Sequence, residues 1–207
     1  MLNKFFDNVD KALATKLMLA HILIITISNY IVQFKIDVAG HPLSVAAFTF
    51  PLVVVLTDLT VRLIGKQTGR AVIGLAFVPA IIASILVVLA SGAPSSVAFR
   101  IGLGSGFAYF VSNLLDVYVF QYFREKYAQT WYIAPTLSAI VSTFIDTYTF
   151  FGVAFAGRDD PFMADHWIEV ATNNSISKII ISLIVILPAY GVLLNFLQNK
   201  VGLKQKV

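Results

Sequence analysis

Residues 50–65 read FPLVVVLTDLTVRLIG, an apolar run that sets Asp58 and Arg62 inside what its hydropathy marks as a membrane span. Two further runs repeat the pattern: FVSNLLDVYVFQYF at 110–123 carries Asp116, and IVSTFIDTYTFFGVAF at 140–155 carries Asp146. An ionised side chain at the centre of a spanning helix costs roughly 2.5–3.5 kcal/mol on insertion scales, so three unpaired aspartates would cost on the order of 8–10. Residues this costly do not face lipid. They line a polar pathway or a binding site inside a helix bundle.

The rest of the chain agrees with that reading. With 58% hydrophobic residues, 13% charged residues and a mean hydropathy of +0.82 over 207 residues, it is too apolar for one soluble domain. The expected architecture is all-α, a polytopic membrane protein formed as a single six-transmembrane-helix bundle over residues 1–207. The spans are read at about 17–34, 43–64, 70–90, 97–123, 131–157 and 176–197. Turn signals separate them at 39–42, 65–69, 91–94 and 157–161. The connection from Arg158 to Ser175, with Trp167 and Ile168 among acids, reads as an interfacial half-helix. The charged segment 1–16 reads as preceding an uncleaved first helix.

Lys4, Lys11, Lys16, Arg62, Lys66, Arg70, Arg124, Lys126, Lys200, Lys204 and Lys206 fall at one set of helix ends, and Lys35, Arg158 and Lys178 at the other. The positive-inside rule therefore predicts cytoplasmic N- and C-termini. This asymmetry also accounts for the net charge of +4 through attraction to anionic membrane lipids, with no nucleic-acid partner. Trp131, Tyr132, Tyr122 and Tyr127 read as an inner aromatic belt.

Asp58 and Arg62, spaced i, i+4, can pair along one helix face. Asp116 lies at a similar level, where two close carboxylates would share a proton or attract Arg62. Asp146 has no charged residue at i±3 or i±4, so its partner must come from another helix or from a substrate. Thr143, Thr147 and Thr149 add hydroxyls beside it. Asn29 and Gln33 give the first span an amide face. Arg100, Glu169 and Lys178 sit near the outer helix ends and read as an external gate or a surface network.

Several chemistries are excluded. The chain has no cysteine, hence no disulfide, thiolate metal site or cysteine nucleophile. His21, His41 and His166 are scattered rather than clustered for a metal, and there is no Walker A loop, so no cofactor is expected and any ATPase would be a separate partner. Gly102-Leu103-Gly104-Ser105-Gly106 follows no strand and lacks dinucleotide-loop spacing. It reads as a close helix-packing face, which leaves a homodimer open.

Particular strings carry a resemblance: Ser28 to Gln33, Thr57-Asp58-Leu59-Thr60-Val61-Arg62, Leu115-Asp116-Val117 with Val119-Phe120, Ala134-Pro135-Thr136, Asp146-Thr147, Phe162-Met163-Ala164 with His166-Trp167, and Pro188 with Tyr190 to Asn195. In this order, over nearly the whole chain, they resemble the queuosine precursor transporter family, also called the vitamin uptake transporter family, of bacterial inner membranes. The resemblance implies six helices, multi-pass insertion in the inner membrane, and import of 7-cyano-7-deazaguanine and 7-aminomethyl-7-deazaguanine. A deazaguanine presents a ring N–H and an exocyclic amine side by side, which one carboxylate accepts bidentately. Asp146 is the first choice for that carboxylate and Asp116 the second. Asn29 and Gln33 are candidates for the ring carbonyl and pyrrole N–H, and Phe50, Tyr30 or Phe48 for stacking.

The expected mechanism is alternating access around a midplane site, with Asp58, Arg62 and Asp116 as the cytoplasmic gate. The energy source stays open between proton coupling, facilitated diffusion and a separate ATPase pair. The alternative from another class is an integral membrane enzyme acting on a lipid-borne substrate, with Asp58 and Asp116 holding Mg²⁺ at the interface.

Overall fold

A computed structural model of the chain describes residues 9–32, 34–38, 41–157 and 161–201. Asp10 caps the first helix, its Oδ1 accepting from the amides of Ala12 at 2.9 Å and Leu13 at 3.1 Å, and α1 runs from Lys11 to Ile31. A short antiparallel hairpin follows, β1 (Lys35–Val38) paired with β2 (His41–Ser44), where the sequence reading expected only a turn. A 3₁₀ turn at Val45–Phe48 leads into α2 (Phe50–Leu63), which Pro51 opens at a position needing no amide donor.

Gly65, at φ 127°, lets the chain reverse directly into α3 (Lys66–Ala90), and Gly92, at φ 85°, does the same before α4 (Ser95–Lys126). The fifth helix, α5, spans Ile133–Phe155. Helix α6 (Pro161–Ile181) passes through a π-helical segment, Ser182–Ile186, into α7 (Leu187–Val201). Among the described residues six helices are long and apolar enough to cross a membrane, the sixth spanning Ala164–Asn199. The expected all-α six-span bundle is therefore present, with the hairpin as an addition. The 158–175 connection is a correction: from Pro161 on it is continuous helix leading into the last span, and Trp167 packs on α5, 3.6 Å from where a Cβ on Gly152 would sit.

Helix α4 is held between α3 and α5 by its glycines. A Cβ on Gly102 or Gly106 would collide with Ile85 or Ile81 of α3, whereas one on Gly104 would come 3.3 Å from the Phe150 carbonyl of α5. The glycine face is thus used inside the chain and offers no argument for a dimer. Val61, Ile73, Val117 and Phe120 fill the space between helices with no exposed surface, while Leu23, Val78, Leu86, Ile184 and Val192 point outward. This arrangement is apolar outside and partly polar within, as a lipid-facing bundle requires. The buried set includes Asp58, Asp116, Asn113, Ser138, Ser142 and Thr147.

Candidate functional site

Two polar assemblies occupy the interior. The larger surrounds a cleft of about 1140 Å³, part of it open to solvent, with walls from α1 to α6. Asp146 and Lys178 lie on its wall, Oδ2 and Nζ 3.3 Å apart, with their side chains 30% and 13% exposed. Helix α6 brings the lysine to the aspartate, supplying the partner that α5 lacks. Lys178 also donates to Thr147 Oγ1 at 3.2 Å and stands 5.0 Å above the Phe50 ring, while Ser112 donates weakly to Asp146 Oδ1 at 3.5 Å. The acid is therefore compensated yet reachable, unlike a structural pair sealed in a core.

Asn29 lines the same cavity, with its Nδ2 donating to Ser84 Oγ at 2.7 Å. Opposite stand Tyr109, Ser112 and Asn113 of α4. Asn113 is fixed from two sides, accepting from Thr57 Oγ1 at 3.1 Å and donating to the Tyr109 carbonyl at 2.9 Å. Behind Tyr109, its hydroxyl meets His21 Nδ1 at 3.0 Å.

The second assembly lies toward the arginine-bearing end. Ser138 Oγ donates to both oxygens of Asp58, at 3.3 and 3.4 Å. Asp116 is a neighbour of Asp58, Ser138 and Ser142 and is wholly buried, yet neither of its carboxylate oxygens receives an aligned hydrogen bond. The i, i+4 ion pair expected between Asp58 and Arg62 does not form. Arg62 instead donates to the Trp131 carbonyl at 3.0 Å and reaches the Tyr190 hydroxyl at 3.5 Å, tying α2 to the start of α5 and to α7. Trp131 stacks on Tyr190, and Arg124 donates to the Val61 carbonyl at 3.3 Å. Together these contacts close the bundle at that end.

The residues read from the sequence thus divide. Asp146, Asn29 and Phe50 line the cavity, and so does Lys178, which the sequence placed at an outer gate. Asp116 lies off the cavity wall, buried beside Asp58. Tyr30 is 57% exposed and turns toward Phe34, away from the cavity. Arg100 caps the end of α5, donating to the carbonyls of Val153, at 2.9 Å, and Ala156. Glu169 is exposed on α6 and pairs with neither Arg100 nor Lys178. Gln33 lies outside the described residues. The sequence reading passed over Ser112, Asn113 and Asn174 of the wall because it sought charges first. The signal was Ser112-Asn113, four and three residues before Asp116 in a helix otherwise apolar at that level.

Residues 44–193 match a family model described as "Putative vitamin uptake transporter". The "Queuosine precursor transporter" of Escherichia coli (strain K12) is 36% identical over 202 residues, covering 92% of this chain and 90% of that one. The chain belongs to the vitamin uptake transporter family. The "Probable queuosine precursor transporter" of Haemophilus influenzae is also 36% identical, over 87% of this chain and 86% of its own length. A protein of the same description from Bacillus subtilis is 33% identical over 94 residues. No solved structure matches. As a vitamin uptake transporter family member with six spanning helices, the chain is a multi-pass membrane transporter and not an enzyme.

Proposed function

We propose that this transporter imports 7-deazaguanine precursors of queuosine across the bacterial inner membrane, by alternating access around the Asp146 cavity. The observation that carries the reading is the half-open Asp146–Lys178 pair at the wall of a cavity large enough for a fused bicyclic base. The guanine edge offers, in a row, a carbonyl acceptor, a ring N–H and an exocyclic amine. Asp146 accepts from the two donors, and Lys178 donates to the carbonyl that its ion pair leaves within reach. Phe50 lies under the lysine, where an aromatic face also suits the base. The relatives named queuosine precursor transporters support the substrate class.

Orientation follows from the lysine and arginine asymmetry, which puts the Arg62 and Arg124 end in the cytoplasm. In that frame the cavity faces outward and the contacts of Arg62, Trp131 and Tyr190 form the closed inner gate. Inward opening requires those contacts to part while α6 carries Lys178 across the site.

The test is queuosine in the tRNA of cells unable to make or import its precursors, complemented with this chain and fed nanomolar precursor. Wild type restores the modified base, whereas Asp146→Asn at equal membrane level does not. Equal restoration by both would remove Asp146 from the path; restoration by neither would remove the substrate assignment.

A further inference from the structure

Asp58 and Asp116 come from different helices and meet with no exposed surface to speak of, at 2% and 0%. Among the described residues, Ser138 donates to Asp58, and Asp116 receives no hydrogen bond. Arg62, one turn along α2 from Asp58, forms no ion pair with it, its Nη1 donating instead to Trp131 and Tyr190, and Arg124 donates to the Val61 carbonyl. Two adjacent carboxylates in a low-dielectric interior without a paired cation are not tolerated as two full charges. The compensating charge with room to enter is a proton.

A stripe of polar side chains leads from this pair toward the larger cavity. Ser138, Ser142 and Asp146 follow one another at i, i+4 along α5: Ser138 touches Asp58, Ser142 neighbours Asp116 and lines the cavity, and Asp146 is the cavity's acid. Four residues advance a helix by about 6 Å, so the stripe spans about 12 Å. A smaller cleft abuts the first, sharing Pro51, Val54 and Thr143 with it, and Asp58 lines its wall. The π-helical segment turns Ser182 into that space. Among the described residues neither its buried hydroxyl nor that of Thr136 there has a partner. Unpartnered buried hydroxyls around such a volume are the setting in which water completes a chain of hydrogen bonds. Tyr190, on the same wall, is the remaining titratable group facing Asp58.

We infer that Asp58 and Asp116 form a proton-carrying pair, connected to the cavity along Ser138, Ser142 and Asp146, that couples import to inward proton movement. The proton arrives from the outer solution through the cavity, resides on the pair, and leaves to the cytoplasm when the Arg62 contacts part. This rests on the substrate reading above, and the assay separates the two.

The full chain in proteoliposomes, with membrane potential clamped, is given labelled 7-cyano-7-deazaguanine. Wild type shows counterflow, and an inward proton gradient of one pH unit raises steady-state accumulation up to about tenfold for one proton per base, that is about 1.4 kcal/mol. Asp116→Asn and Asp58→Asn retain counterflow and lose the gradient response. Counterflow in wild type without any gradient response would overturn the inference and leave the substrate reading standing. A full gradient response in both variants would also overturn it. Absence of counterflow in wild type would overturn the substrate reading and this one with it. Should the variants fail to reach the vesicles, wild type alone decides: base addition alkalinises weakly buffered outer medium if protons accompany it, and no alkalinisation rejects coupling.

Discussion

At the scale of single residues, the three intramembrane aspartates look alike in sequence and differ wholly in surroundings. Asp146 is ion-paired and open to a cavity, Asp58 holds one serine, and Asp116 holds none. Lys178→Met removes the cation that compensates Asp146 and the proposed donor to the base. Uptake of labelled 7-deazaguanine is expected to fall at least tenfold, because the base loses its proposed donor while Asp146 loses the cation that compensates it at the cavity wall. Lys178→Arg, which keeps charge but not the point geometry, is expected to recover part of it. Arg62→Met leaves the part-buried Trp131 carbonyl without its protein donor, a loss of about 0.5–1.5 kcal/mol. Its readout is a lower unfolding temperature in detergent and faster labelling of probes placed at the inner gate.

At the scale of elements, glycine placement decides how closely α4 approaches its neighbours. Gly102→Ala would put a Cβ 3.0 Å from the backbone nitrogen of Ile85, as well as against its side chain, so the helices must separate. Overpacking of this kind costs typically about 1–3 kcal/mol and outweighs the gain of about 1 in helix propensity. Gly74 has nothing within 4 Å of its added Cβ, so Gly74→Ala is expected to raise thermal stability by the propensity term. Unfolding temperatures in one detergent check the opposite signs. The Gly102-x-x-x-Gly106 spacing was legible as a packing face, but which helix it meets was not, since small-residue spacing is the same for an internal and an intermolecular contact. The π-helical segment left no legible mark either. It depends on an extra residue accommodated within a continuous apolar helix, which hydropathy does not register.

At the scale of the whole molecule, the absence of cysteine makes orientation directly measurable. Ser91→Cys, in the exposed turn between α3 and α4, is expected to react in spheroplasts with a membrane-impermeant maleimide. Gln129→Cys, in the exposed turn between α4 and α5, should react only after permeabilisation. The reverse pattern would invert the frame in which the cavity faces outward. The sequence by itself determined the membrane class, the six spans and the polar positions within them, because hydropathy and turn chemistry are local and accumulate along the chain. It also determined that Asp146 needs a partner from elsewhere. Only the tertiary structure decided that the partner is Lys178, that Arg62 serves a carbonyl rather than Asp58, that Arg100 caps a helix end, and that Asp116 stands off the cavity beside Asp58. Those outcomes rest on which helix faces meet and at what height. A side chain's own helix fixes its direction, and the neighbouring helices fix what it finds there.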